Sequence, residues 1–296
     1  MKVLSLFDGI SCGRVAFDRA GIPVETYHAF EIEPSAIQIS KKNYPSIVHQ
    51  GDVTVADFTV YKDFDILIGG SPCQSLSIVR SQTRQHLDGK SRLFFEYVRA
   101  KEEMTPKWFL FENVASMNEK SRKIISDILG VQPVFIDSAD FSAQSRPRLY
   151  WTNIPVNLSK IKKNTTVVRD ILLDEVDDKY WLSRPFKVIN PDAQVCARIE
   201  TDTKLWEMNR RIFNPNHKMH TLVTSGTIRS VLIGDRARKL TPVEYERLQT
   251  LPDGYTDGIS NNKRYQALGN GWTVDVIAWI LSQIPRGEGE LEEWMR

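Results

Sequence analysis

The chain is poor in cysteine, with Cys12, Cys73 and Cys196 alone among 296 residues. None stands in a CxxC pair or in a Cys/His cluster, which argues against a disulfide framework and a structural zinc and fits a reducing compartment. No apolar run approaches the ~20 residues of a membrane span. The opening Met1-Lys2-Val3-Leu4-Ser5-Leu6-Phe7-Asp8 turns acidic too soon for a signal peptide, so a soluble, cytoplasmic protein without membrane or metal is expected. Charge of one sign is not in excess: 39 Lys and Arg against 37 Asp and Glu leave +2, and any basic face must be local. Repeats and low-complexity linkers are missing too, which argues against long disordered regions. Only Arg286 to Arg296 reads as a solvated tail. At about twice a ~150-residue domain, the length suits one large domain or a large and a small one.

Short apolar runs alternate with amphipathic stretches. Lys2 to Phe7 reads as a strand, Cys12 to Ala20 as a helix, Val24 to Phe30 as a strand and Pro34 to Asn43 as a helix with Pro in its first turn. Phe64 to Ile68, Leu93 to Lys101, Trp108 to Phe111, Lys120 to Leu129 and Val134 to Ile136 continue the rhythm. The spacing predicts an α/β fold with a doubly wound, mainly parallel sheet. After Pro155 the rhythm is lost, and helical signals return at Thr241-Pro242 and at Thr273 to Ile284. Residues 1–155 with 238–296 are therefore expected as one domain, and 156–237 as a smaller, mainly irregular and β insertion. Within that insertion, residues 155–202 balance eight basic against eight acidic side chains, whereas residues 203–237 hold six against two. A second basic cluster, Arg80, Arg84, Lys90 and Arg92, precedes the Leu93 helix. Either cluster alone reads first as a solvated face.

Phe7-Asp8-Gly9-Ile10-Ser11-Cys12-Gly13 joins the first strand to the first helix, where a glycine turn lets backbone approach a nucleotide or nucleoside. It is not a full GxGxxG, and alone it equally fits a plain turn. Glu31 ends the second strand some twenty residues on, placed to accept from ribose hydroxyls. Gly51-Asp52-Val53 adds a carboxylate for an adenine amine, or an ordinary Asp turn.

Gly69-Gly70-Ser71-Pro72-Cys73-Gln74 lies beyond a strongly apolar strand, at the carboxyl edge where open α/β sheets bind ligands. A cysteine held there by proline is read as a nucleophile rather than as a small core residue. Glu112 in Phe111-Glu112-Asn113-Val114 brings an acid to the same edge. Thiolate and acid form a coherent pair: one adds to an electron-poor ring carbon while the other serves the ring nitrogen. Arg146 and Arg148 add guanidinium groups that suit a carbonyl or a phosphate. Gly269-Asn270-Gly271-Trp272-Thr273 is expected to open the last helix and offer amides to a carboxylate.

Taken in order, Phe-x-Gly, Glu31, Asp52, Pro72-Cys73, Glu112-Asn113-Val114, Arg146-x-Arg148, Arg238 to Gln249 and Gly269-Asn270 resemble the DNA cytosine-5 methyltransferase family over nearly the whole chain. The wording of Phe7 to Ile10, Gly70 to Cys73, Leu76 to Val79 and Arg92 to Tyr97 is similar to the catalytic domain of vertebrate de novo DNA methyltransferases. With no regulatory domain in front, a stand-alone bacterial or phage enzyme of the restriction-modification kind is expected, and a monomer. The resemblance implies a Rossmann-like sheet, S-adenosyl-L-methionine as methyl donor and cytosine in double-stranded DNA as substrate. It implies donor contacts from Phe7, Gly9, Ile10, Glu31, Ile32, Asp52, Val53, Pro72, Asn270 and Trp272. Cys73 would attack carbon 6 of the base, Glu112 would engage the ring nitrogen and exocyclic amine, and Arg148, with Arg146 nearby, would hold the base. One departure stands out: Ser11 and Cys12 occupy the last two glycine positions of the Phe-x-Gly-x-Gly-Gly motif common in bacterial members.

A stacked base must be flipped out to be reached. Residues 75–92 are expected to form a lid, with Ser75, Gln82, Arg84, Gln85 and Arg92 toward the DNA. Arg210, Arg211, Lys218 and Arg229 of the small domain would meet phosphates or guanine edges. Among rivals, a transfer-RNA cytosine-5 methyltransferase lacks support, because Cys196 is followed by Ala197-Arg198 and not by Phe-Thr. A non-catalytic nucleic-acid-binding relative is disfavoured by the intact Pro72-Cys73 with Glu112-Asn113-Val114, and a dehydrogenase ranks last.

Overall fold

A computed structural model describes residues 1–72, 92–201, 207–224 and 228–286, the Arg92 side chain excepted. In chain order the elements are β1 (Lys2–Leu6), α1 (Cys12–Arg19), β2 (Thr26–Phe30), α2 (Pro34–Asn43), β3 (Val48–His49), β4 (Ile66–Gly69), α3 (Arg92–Met104), β5 (Trp108–Val114), α4 (Glu119–Leu129), β6 (Val134–Asp137), β7 (Gln144–Ser145) and β8 (Pro147–Thr152). There follow β9 (Phe186–Val188), β10 (Val195–Ile199), α5 (Glu207–Arg210), β11 (Arg211–Phe213), β12 (Met219–His220), β13 (Ser230–Ile233), β14 (Arg236–Lys239), α6 (Pro242–Leu248), α7 (Asn261–Asn270) and α8 (Val274–Leu281). Among the described residues no helix is long and apolar enough to cross a membrane, and no group of three potential metal ligands gathers.

The contacts divide the chain into two compact units. The first comprises Met1–Ile136, Pro147–Ile161 and Asp275–Arg296. It holds a seven-stranded sheet in the order β3-β2-β1-β4-β5-β8-β6. The strands β3, β2, β1, β4 and β5 run parallel to one another, and β8 runs antiparallel to β5. This is the expected doubly wound α/β sheet, made mixed by β8. Its central strands are apolar on both faces because helices cover both, which is why they read as continuous hydrophobic runs. Leu4, Leu6, Leu67, Phe94, Tyr97, Phe111 and Trp151 are fully buried in one cluster.

Gly69, at the end of β4, is where that packing is tightest. A Cβ there would stand 2.9 Å from the Leu6 carbonyl oxygen and 3.1 Å from the Tyr97 ring. Gly69→Ala is expected to cost about 1–3 kcal/mol, the scale of overpacking, read as a lower urea midpoint at unchanged slope.

The second unit comprises Asp137–Arg146 and Lys162–Val274. Its five-stranded sheet, β14-β13-β11-β10-β9, packs Cys196, Ala197, Ile199, Ile212 and Ala237 into a small core. Here the contacts divide the chain differently from residue numbers 156 and 237, because α6 and α7 fall in this unit. The buried Gln249, just after α6, donates to the Leu268 carbonyl (2.6 Å) and accepts from Gln144 Nε2 (3.0 Å) and Thr273 Oγ1 (2.9 Å). Those bonds tie both helices to residues 137–146.

Candidate active site

Because β1, β2, β4 and β5 are parallel, their carboxyl ends share one edge, and the chain order reverses between β1 and β4. Ligands of open α/β sheets bind at such a reversal. Leaving β1, the backbone turns through three left-handed residues, Phe7 (φ 58°), Gly9 (φ 59°) and Ser11 (φ 61°). Only glycine adopts this freely, so the other two need support. Asp8 supplies it: its carboxylate accepts from Ser5 Oγ (2.6 Å), Tyr27 OH (2.7 Å) and Ser11 Oγ (2.5 Å). Burial pushes the Asp8 carboxyl pKa up, and the Ser11, Ser5 and Tyr27 hydroxyls oppose the rise. Ile10 is buried beneath the loop.

Glu31, just past β2, reaches the same loop. One oxygen accepts from the Gly9 amide (2.8 Å), the other from the amides of Ile32 and Glu33 (2.8 Å each). A carboxylate offers about four lone-pair sites. As placed, Glu31 has three of these sites filled by backbone amides. Beside it Ile32 is 69% exposed, an apolar side chain held in solvent at the ligand edge. Asp52 caps the short turn Val53–Val55 by accepting from the Thr54 amide and hydroxyl (2.8 Å each), and Val53 is buried. Sequence reasoning missed Arg99 of α3. It donates to the carbonyls of Val53 (3.1 Å) and Ala56 (2.8 Å) and lies 4.4 Å over the Phe58 ring, so it fixes the backbone behind Asp52.

At the ends of β4 and β5 the buried Asn113 donates to the Ser71 carbonyl (3.2 Å) and accepts from the Val114 amide (2.8 Å). It holds the segment leading to the exposed Pro72. Asn113 belongs to a recognised motif, yet only the structure assigns it this clamp. Cys73, Ser75, Gln82, Arg84 and Gln85 lie outside the described residues, as does the Arg92 side chain.

Glu112 and Arg148 meet, Oε1 to Nε at 2.7 Å, with side chains 13% and 12% exposed. The antiparallel course of β8 explains this. Val114 faces Arg148 and Glu112 faces Tyr150, so Arg148 lies diagonally opposite Glu112, within reach of a long side chain.

Other expected site residues lie in the second unit. Arg146 is 5% exposed, and its guanidinium donates to the carbonyls of Leu222 (3.3 Å), Gly269 (3.0 Å) and Gly271 (3.0 Å). It is thus occupied with backbone. Gly269 and Asn270 do not open the last helix but close α7: the Gly271 amide donates to the Ala267 carbonyl (2.8 Å), one more turn of the same helix, and α8 starts at Val274. Asn270 is exposed there and Trp272 half-buried.

Of the expected DNA contacts, Lys218 sets its ammonium on the carbonyls of Ala139, Ser142 and Asn164 (2.8 Å each), and burial lowers its pKa. Arg229 is 4% exposed, donates to the Thr221 carbonyl (2.6 Å) and lies 5.7 Å over Phe213. Arg210 donates to the Ile199 carbonyl (3.1 Å), and Arg211 stands 3.8 Å from Glu207; both are half-exposed.

The family described as C-5 cytosine-specific DNA methylase matches residues 1–286. Type II methyltransferase M1.ScrFI of Lactococcus lactis subsp. cremoris is 30% identical, over 96% of this chain and 77% of its own length. Type II methyltransferase M.NlaX of Neisseria lactamica is 26% identical over 96% of both chains. Among solved structures, Entamoeba histolytica methyltransferase EhMeth superposes with a TM-score of 0.73 at 18% identity, covering 100% of this chain and 99% of its own. The S. pombe Dnmt2 methyltransferase gives 0.71 at 17% identity, over 99% of both chains. These structural likenesses concern the fold.

Proposed function

The chain belongs to the C-5 cytosine-specific DNA methylase family, and from that membership we propose that it methylates carbon 5 of a cytosine flipped out of double-stranded DNA, with S-adenosyl-L-methionine as donor, through a transient covalent bond to Cys73. The observation that carries the proposal is the Glu112–Arg148 pair at 2.7 Å, on the sheet edge where Asn113 holds the segment that runs into Pro72-Cys73. An acid oriented by a guanidinium there suits a base that must be activated at its ring nitrogen.

The residues present fit the donor. The left-handed turn at Phe7, Gly9 and Ser11 follows β1 at the carboxyl edge of the sheet, Glu31 retains an acceptor site for a ribose hydroxyl, and Ile32 offers an exposed apolar surface for a flat ring. Asp52, Val53, Pro72, Asn270 and Trp272 complete the proposed donor contacts. When bound, S-adenosyl-L-methionine supplies an electrophilic methyl group.

The chain's own groups do the rest. The Cys73 thiolate forms a bond to carbon 6, and the electron pair of the 5,6 double bond moves to carbon 5, which becomes nucleophilic enough to be methylated. Glu112 bonds the ring nitrogen and exocyclic amine while Arg148 holds Glu112 and the base. Loss of the carbon 5 proton to a base then expels the thiolate and restores the double bond. In the proposed division of labour, residues 1–155 and 238–296 carry the chemistry and 156–237 the recognition. Arg210 and Arg211 remain the candidates to meet DNA, whereas Lys218 and Arg229 spend their charged heads on backbone carbonyls. A cytoplasmic site in a bacterial or phage-infected cell fits this reading.

The test is transfer of labelled methyl from S-adenosyl-L-methionine to DNA and, in parallel, to transfer RNA. Label in DNA supports the proposal, and label in RNA alone would overturn it. Glu112→Gln is expected to lower kcat by about 10²–10⁴-fold, the range of a lost general acid, with donor affinity retained.

A further inference from the structure

We propose that Asp8, Ser11, Ser40 and His49 form a one-way chain of hydrogen bonds that positions the Phe7–Ser11 backbone for the methyl donor, in place of the glycine freedom that the loop lacks. The inference rests on the donor reading of this edge. Ser11 is fully buried and left-handed (φ 61°), a conformation that a serine holds only under constraint. Its Oγ lies 2.5 Å from Asp8 Oδ2 and 2.6 Å from Ser40 Oγ, and Ser40 Oγ lies 3.2 Å from His49 Nε2.

A hydroxyl carries one hydrogen and a carboxylate none, which fixes every direction. Ser11 must donate to Asp8, so it accepts from Ser40; Ser40 must therefore accept from His49, whose proton sits on Nε2. The other imidazole nitrogen, Nδ1, is buried with no partner among the described residues, as an unprotonated nitrogen in a tight space would be. Around the chain stand Tyr27 and Glu31 from β2 and its end, and Lys41 from α2. Burial followed by Lys41 lowers the His49 pKa, so the ring is neutral near pH 7. The remaining oxygen of Asp8 is filled by Ser5 and Tyr27. The loop backbone is thus tied through one carboxylate to β1, β2, α2 and β3. These are positioning residues, acting through the course of the loop backbone.

Three variants test this. In Asp8→Asn, the amide oxygen keeps Ser5 and Tyr27 while the amide nitrogen faces Ser11. The Ser11 hydrogen then loses its acceptor, so nothing directs the chain from His49 toward position 8. Nitrogen NMR of the donor-free protein should show the Nε2-protonated tautomer in wild type and a smaller fraction of it in the variant. An Nδ1-protonated ring in wild type would overturn the chain. Ser11→Gly keeps the backbone conformation but removes the hydroxyl. It should weaken S-adenosyl-L-methionine binding about tenfold by calorimetry, with kcat at saturating donor within about twofold. Binding as tight as wild type would overturn the positioning role. His49→Gln, which retains a donor, should bind the methyl donor better than His49→Ala, and equal loss in both would also count against the chain. A wild-type protein that binds no S-adenosyl-L-methionine would remove the donor reading and with it the positioning role, while the tautomer result would still decide whether the chain exists.

Discussion

Cys73→Ala is expected to lower methyl transfer to DNA by at least ~10³-fold, the scale on which removal of a nucleophile acts, while donor and DNA binding persist. The reason lies in the base: carbon 5 of cytosine takes a methyl group only after carbon 6 has been saturated, and no second thiol is placed to do this. Cys12 and Cys196 are 3% and 0% exposed, the first on α1 and the second in the core of the five-stranded sheet. Burial also raises the Cys196 pKa, which keeps it protonated and unreactive. Cys73→Ser should behave almost like the alanine variant, because an unactivated hydroxyl is a far weaker nucleophile than a thiolate. The same experiment run on DNA carrying 5-fluorocytosine at the target gives a second readout. Fluorine at carbon 5 cannot leave as a proton does, so wild-type protein should stay bonded to the DNA through denaturing electrophoresis and Cys73→Ala should not. Retention of a tenth of the wild-type rate, or an adduct formed without Cys73, would end the covalent proposal.

The parts of this edge differ in how far they were legible beforehand. The strands β1, β2, β4 and β5 are buried on both faces and so announce themselves as apolar runs, and the acidic or glycine residues that end them are found by counting forward. Strand direction is not written in such runs. Nothing in Leu149 to Ile154 says that β8 is antiparallel, and only that course sets Arg148 diagonally across from Glu112. Long cationic side chains are equally mute. Lys218 and Arg229 entered a charge count as surface groups, whereas their heads end on backbone carbonyls. Helix α7 is hard to read because its exposed first turn, Asn261-Asn262-Lys263, offers no apolar residue to start a period. With α7 unseen, Gly269-Asn270 looked like the start of a helix instead of the end of one. Nothing in the run Phe7 to Gly13 singles out Asp8, because the hydroxyls that converge on it include Ser5 of β1 and Tyr27 of β2.

Gly269→Ala is expected to destabilise the protein by about 3 kcal/mol or more, beyond the usual cost of overpacking. A Cβ at this position would sit 2.6 Å from the Val223 carbonyl oxygen, 2.8 Å from its carbon and 3.0 Å from the Thr224 nitrogen. All three atoms are backbone, so no rotamer change relieves the clash. The segment at Val223 cannot retreat either, because the adjoining Leu222 is held by buried polar contacts. The Leu222 amide donates to Gln144 Oε1 (2.8 Å) and the Leu222 carbonyl accepts from Arg146. The close approach of α7 to Val223 is therefore what lets one guanidinium reach carbonyls on both segments. Forcing them apart would break the Arg146 bonds to Gly269 and Gly271 as well as create strain. Arg146→Met, which takes a donor from three carbonyls, of which Gly271 keeps Gln249 Nε2 (3.0 Å), should cost a similar amount at ~1–3 kcal/mol for each group left unsatisfied, less what solvent recovers. Arg148→Met makes the contrast: it should leave the urea midpoint closer to wild type while reducing turnover, since Arg148 pairs with Glu112 and donates to the adjacent Pro147 carbonyl (2.9 Å) instead of bridging two distant segments of backbone. Thermal denaturation checks all three, with a drop of roughly 6–12 °C expected for 3 kcal/mol in a unit of this size. A Gly269→Ala protein that melts within about 2 °C of wild type would show that α7 and Val223 separate without cost, and the role assigned to Arg146 would fall with it.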